Sequence, residues 1–378
     1  MRTQSAGRRP QALALLFKPL ILLLVAAALL SGIVGGLLRA GLPLPGAGSD
    51  WVGRAALAHA ALMMVGFLAS VIGIERAVAV KLRWAFAAPL GSGLAGVAML
   101  LGHKELAAGL SVLAALVFVG VNCVVVSRQR ADHTVLLLVS ALALLTGTLL
   151  WAAGMGGGAV LPWWFAFLVL TIAAERLEMT RLMRRRPSAQ RSLYLLMAAL
   201  LAGATLSAFD ARLGGLLFGA ALSLLALWLM VFDIARRTLF ARGLSRYMAV
   251  CLLGGYGWLG LAGAAWAATA LGGPWRDAAL HGLGLGFIIS MVMGHAPVIL
   301  PAVARVKLAF GPFFYVPLGL LHLSLALRLG GGALVPPWRA LGAGLNAAAI
   351  ALFAFTVIAA AWRWRIHHGA LSARESQA

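Results

Sequence analysis

Residues Asp277 to Leu300 read DAALHGLGLGFIISMVMGHAPVIL, and this stretch decides what kind of protein the chain makes. It is apolar for roughly 20 residues, and at ~1.5 Å rise per residue a helix of that length spans the hydrocarbon core of a bilayer. Two histidines interrupt it, His281 near its start and His295 near its end. Helical steps of roughly 100° bring His295 back to within roughly 40° of the face that His281 occupies. An ionisable side chain inside a membrane helix is costly, so each such residue is a functional-site hypothesis. A second apolar stretch, Ala55 to Ile74, carries His59 at nearly the same depth as His281.

Composition extends this reading to the whole chain. Of 378 residues, 62% are hydrophobic and only 11% charged, too few charges to cover a soluble surface. The expected fold class is all-α: a polytopic membrane helical bundle forming one integral domain over residues 1–378. A net charge of +21 would suggest nucleic acid in a soluble chain, but here the basic residues cluster between apolar runs. They read as topogenic charge, with the lipid bilayer as partner and no nucleic acid. Cys123 and Cys251, the two cysteines, fall inside predicted spans and read as packing residues. No CxxCH is present, which excludes covalent c-type haem. The N-terminal MRTQSAGRRPQ and the apolar run after it read as an uncleaved first helix.

Apolar runs bounded by charge or by Gly/Pro turns predict twelve spans. The first six lie at about 13–38, 55–74, 84–101, 106–126, 134–155 and 161–178. The rest lie at about 192–208, 213–231, 247–271, 277–300, 313–329 and 341–362. With the N-terminus inside, 24 of the 31 Lys and Arg fall in cytoplasmic segments and 7, among them Arg276, Arg328 and Arg339, on the opposite face. That asymmetry is expected for a protein with both termini in the cytoplasm. The halves 1–190 and 191–378 show no alignable repeat, which weakens a transporter built on repeats.

Four of the eight histidines lie inside spans: His59, His281, His295 and His322. His103, His133, His367 and His368 read as loop or tail residues in solvated or interfacial positions. His59 and His281 each sit about one turn into the membrane from the outer face. Two neutral imidazoles at one depth suit the axial positions of a low-spin b-type haem. Gly66 follows His59, and Gly282, Gly284 and Gly286 follow His281; small residues there would leave room for a flat macrocycle or let two helices touch. Met291 and Met293 precede His295, and thioethers with imidazole suit copper(I), although gap-filling methionines and a capping histidine explain them as well. Glu75, Glu175 and Glu178 beside Arg76 and Arg176 read as ion-paired anchors. Trp163 and Trp164, with Trp51, Trp275 and Trp338, read as an outer aromatic belt.

Twelve spans and a histidine pair on the second and tenth resemble subunit I of the haem-copper oxidases. The local sequences are more similar to the NnrS family of haem- and copper-containing membrane proteins linked to nitric-oxide stress. That family's second helix resembles WHAHEMLFGY, and the matching stretch here runs from Ala58 to Phe67, with His59 and Gly66 in common. Ala61 and Leu62 stand where the family has a second histidine and a glutamate. In the tenth span His281, Gly286, Met291 and the Gly294–His295 pair resemble a family pattern of His, Gly, Met and a later Gly-His.

The expectation is a bacterial inner-membrane haem b protein, with His59 and His281 as axial ligands. His295 and His322 are further cofactor candidates, and Met291, Met293 and His295 candidates for copper. It would serve electron transfer or the handling of a diatomic gas such as nitric oxide, fed by a respiratory-chain or quinone donor. Two alternatives stand beside it: a secondary transporter whose intramembrane histidines relay protons, and a structural partner of a respiratory complex.

Overall fold

The computed structural model describes the backbone of residues 9–179, 187–304 and 306–375, and the side chains of these apart from 9–18, 187 and 367–375. The described residues form helices and turns and no strand. Inside hydrocarbon every backbone N–H and C=O must be satisfied within the protein, and a helix does this within one segment.

Twelve helices are long and apolar enough to cross a membrane. They are α1 (Pro19–Arg39), α2 (His59–Val80), α3 (Arg83–Leu101), α4 (Lys104–Arg128), α5 (Asp132–Ala152) and α6 (Gly157–Met179). Then follow α7 (Ser188–Leu206), α8 (Ala211–Phe232), α9 (Leu244–Ala270), α10 (Arg276–Ala304), α11 (Pro312–Leu334) and α12 (Pro336–Ile366). Each expected span falls on one of them. Their ends carry ordinary stop and start signals. Gly102 closes α3 at φ +88, a left-handed position that suits glycine, and the Asp210 carboxylate accepts from Arg212 N and Leu213 N, both at 2.9 Å, to open α8.

The chain separates into two compact units. The first comprises residues up to Arg130 with Leu144–Met155, the second Ala131–Ala143 with everything from Gly156 onward, so α5 contributes to both. In the first, α1 and α3 pack on α2, and α3 on α4. In the second, α8 packs between α7 and α9, α9 lies on α10, and α11 on α12. The most enclosed span is α6, 78% buried, as its sequence, apolar on all sides through Trp164, Phe165 and Phe167, requires. Trp164 is therefore a core residue and not part of an aromatic belt, whereas Trp51, Trp275 and Trp338 are exposed as expected.

Three stretches depart from α geometry and widen into π turns: Leu62–Ala69 in α2, Gly282–Ile289 in α10 and Leu327–Gly331 in α11. A π turn keeps its backbone bonded while adding a residue to the turn, and such turns are frequent at functional sites. The first two have the same length, with Gly–Phe at the fifth and sixth positions (Gly66–Phe67, Gly286–Phe287) and serine directly after (Ser70, Ser290). The elements around them also match. A long helix precedes each (α1, α9), a 3-10 turn opens the next span (Arg83–Phe86, Pro312–Phe314), and a long helix follows (α4, α12). The two stretches thus share G-F-x-x-S and a similar order of neighbouring elements, although His59 and His281 stand two positions apart in that register.

Close helix contacts rest on glycine. A Cβ at Gly219 of α8 would stand 2.5 Å from the carbonyl oxygen of Gly263 on α9, and one at Gly263 would stand 2.6 Å from that of Gly219. Neither backbone can yield, so any side chain forces α8 and α9 apart. Gly219→Leu is expected to cost about 1–3 kcal/mol or to abolish folded yield, by analogy with overpacked cores. Gly257→Ala, with nothing within 4 Å of its added carbon, should leave stability unchanged. Thermal unfolding of the detergent-purified variants distinguishes the two.

Candidate functional site

The ionisable groups inside the spans are best ordered by what fixes their protons. In the first unit His59 opens α2, three residues before the π turn. Its Nδ1 lies 2.7 Å from the carbonyl oxygen of Gly32, and its ring lies against Gly36, where a Cβ would come within 2.7 Å of Cε1. Gly32 and Gly36 are four apart and form one small-residue notch on α1 into which the imidazole fits. A carbonyl only accepts, so Nδ1 carries the proton, and in the neutral ring Nε2 carries the lone pair.

In the second unit His281 directly precedes the π turn of α10. Its Nδ1 lies 2.8 Å from Oδ1 of Asp277, one helical turn back, and 3.2 Å from the Asp277 carbonyl oxygen. Both are acceptors, so here too Nδ1 holds the proton. Asp277 is held in turn by Arg328, whose Nε reaches Oδ2 at 3.0 Å and Nη2 reaches Oδ1 at 2.9 Å. Arg328 comes from the π turn of α11 and is buried. Its Nη2 stands 3.2 Å from both nitrogens of the His281 ring. An atom at that range from both cannot lie in the ring plane without overlapping ring carbons, so the guanidinium lies over the ring face. Arg339 approaches Oδ2 at 3.6 Å from α12.

His295, lower on α10, bonds Nδ1 to the Met291 carbonyl oxygen at 2.7 Å and has the same tautomer. Met291 and Met293 are both buried; the Met291 methyl fills the hollow at Gly255 of α9, and Gly294 packs on Cys251. His322 of α11 is the exception. The Trp258 indole N–H donates to its Nδ1 at 2.8 Å. An indole only donates, so the proton of neutral His322 is on Nε2, a buried atom facing Gly254 and without a hydrogen-bond partner among the described residues. A metal on that nitrogen would need the ring to give up Trp258 or to become an imidazolate.

The structure thus joins His281 to Asp277 and Arg328, and His295 to Met291, while Trp258 links His322 to α10 by covering Gly286. His59 belongs to the other unit. Among the described residues no three His, Cys, Asp or Glu side chains gather as a metal cage. The glycines are mostly spent on helix contact: a Cβ would stand 3.0 Å from Ala28 at Gly66, 3.3 Å from Ala262 at Gly282, and would overlap Trp258 at Gly286. Gly284, with Phe165 at 4.0 Å, keeps the most room.

Other residues differ from expectation. Arg328 reads as topogenic charge in sequence but is an internal partner; the signals for its site were the i, i+4 spacing of Asp277 and His281 and the scarcity of intramembrane acids. Arg176 pairs with Asp233, at 2.8 Å and 3.0 Å, with side chains only 4% and 2% exposed. Arg76 does pair with Glu75, at 3.0 Å. His133 is buried, not solvated, and Cys123 faces outward while Cys251 is buried. His103 is exposed, and the side chains of His367 and His368 lie outside the described residues.

This fold and these internal charges define a multi-pass membrane protein with ionisable groups built into its spans. Residues 18–362 match the family described as a domain of unknown function, DUF8744, and the chain belongs to that family. No curated protein and no solved structure matches it.

Breaking a buried ion pair leaves an uncompensated charge, whereas removing both charges does not. Asp233→Asn or Arg176→Met alone should destabilise by about 3–5 kcal/mol, and Arg176→Met with Asp233→Leu should recover most of that. Denaturant or thermal unfolding of the three variants in detergent provides the check.

Proposed function

We propose that this protein binds haem b in the inner membrane of a bacterium, with both termini cytoplasmic, and that His59 and His281 would each offer an imidazole to iron. The observation that carries this reading is that His59 and His281 each stand within three residues of the start of a π turn, each ring bonded through Nδ1 so that Nε2 has the lone pair. Metal-bound imidazoles characteristically donate their other N–H to a carbonyl or carboxylate. The donor set therefore fits an imidazole-ligated iron at His59 and His281, and also at His295. It fits poorly at His322, whose Nδ1 already accepts from Trp258. The glycines add little, since Gly66, Gly282 and Gly286 are filled by neighbouring helices, and any space for a macrocycle must come from elsewhere.

Bound haem would supply one-electron chemistry or diatomic-gas binding, with a respiratory or quinone donor and nitric oxide among the candidate partners. The chain's own residues would orient the imidazoles, keep their tautomers fixed and exclude water. Copper(I) at His295 with Met291 or Met293 is a lesser proposal, resting on thioether and imidazole chemistry alone. A second reading, a proton-coupled secondary transporter, is favoured by the three π-widened spans, since transporters often contain interrupted helices.

A reduced-minus-oxidised visible spectrum of the detergent-purified protein tests the first reading. Sharp low-spin b-type bands, lost in both His59→Ala and His281→Ala, are expected. A colourless wild-type protein from cells with ample haem would sink the haem reading and favour transport.

A further inference from the structure

The chain Arg328–Asp277–His281 joins three side chains where charge balance needs two. A lone half-buried carboxylate would need at most one cation, and Arg328 satisfies it with two parallel hydrogen bonds, at 3.0 Å and 2.9 Å. Asp277 nevertheless also accepts a hydrogen bond from His281 Nδ1–H at 2.8 Å, while its own carbonyl oxygen backs the same nitrogen at 3.2 Å. Two acceptors from one residue, one helical turn below the ring, leave that ring a single neutral tautomer and little rotational freedom. The guanidinium that pins the carboxylate also covers the ring face. His59 has a carbonyl in place of the carboxylate, so the two histidines are held by groups of different charge.

We infer that Asp277 and Arg328 are the positioning pair of His281: Asp277 fixes Nδ1–H and aims Nε2, and Arg328 fixes Asp277 and adds positive charge beside the ring. The tautomer half stands without any cofactor. The tuning half rests on the haem reading. A carboxylate partner makes an imidazole a stronger donor to iron and favours the oxidised metal, whereas a nearby cation opposes it. Removing Asp277 should therefore raise the midpoint potential, and removing Arg328 should lower it. A purely structural role would not give opposite signs.

The test uses the full chain, 15N-labelled at histidine, in lipid nanodiscs without added haem, with the His281 ring assigned by loss of its signals in His281→Gln. Wild type should show a protonated Nδ1 and a bare Nε2. Asp277→Asn, which keeps an acceptor oxygen, should retain that pattern, and Asp277→Leu should lose it. A wild-type ring protonated at Nε2, as the other tautomer or as imidazolium, would overturn the inference. In the second arm the haem-loaded proteins are titrated. Asp277→Leu should weaken haem binding by ~10–100-fold, and Asp277→Asn and Arg328→Gln should shift the potential in opposite directions. Unmoved potentials would overturn the tuning half. Wild type with the expected tautomer but no haem would sink the haem reading and leave the positioning of His281 standing.

Discussion

A carboxylate within an apolar bundle must be matched, and the neighbouring parts of α10, α11 and α12 are arranged around matching Asp277. Its partner Arg328 comes from α11, its i+4 neighbour His281 from the same helix, and Arg339 approaches from α12. Three spans are tied to one side chain. The tie also explains why a π turn lies on each side of it. A π turn rotates the residues that follow while leaving the backbone bonded, so it re-aims side chains at no cost in unsatisfied groups. His281 lies just before one such turn and Arg328 within another.

The second consequence concerns glycine. In water-soluble folds glycine in a helix is a liability, but between membrane helices it permits backbone contact where no hydrophobic force draws helices together. The reciprocal approach of Gly219 and Gly263 is of this kind, and so is the Trp258 ring against Gly286. Trp258 has two tasks in that position. It packs on the π turn of α10 and orders His322 on α11, so three successive spans share one indole.

The fold was legible because its signal is additive: twelve apolar runs each long enough to cross, broken by charge and turn residues. The site was legible only in part. The intramembrane histidines stand out by rarity, but rarity does not reveal which nitrogen carries the proton, and that depends on Gly32, Asp277, Met291 and Trp258. Arg328 was hidden because counting charges by loop treats a cation near a helix end as topogenic, and only tertiary contact shows it turned inward. The glycines after His59 and His281 were consistent with two readings, and neighbour side chains decided for helix contact. The π turns escaped notice because they depend on backbone geometry, which side-chain identity does not encode.

The notch of Gly32 and Gly36 gives the first helix a role beyond threading the chain into the bilayer. The carbonyl oxygen that holds the His59 ring belongs to α1, so this helix is one wall of the pocket in which the ring sits. Membrane spans near an N-terminus are commonly exchanged for foreign leaders or fusion partners when proteins are produced for study. A replacement that restored the crossing but carried leucine in place of Gly32 and Gly36 would deliver a correctly inserted protein with a misaimed imidazole. Good expression would then conceal a lost site.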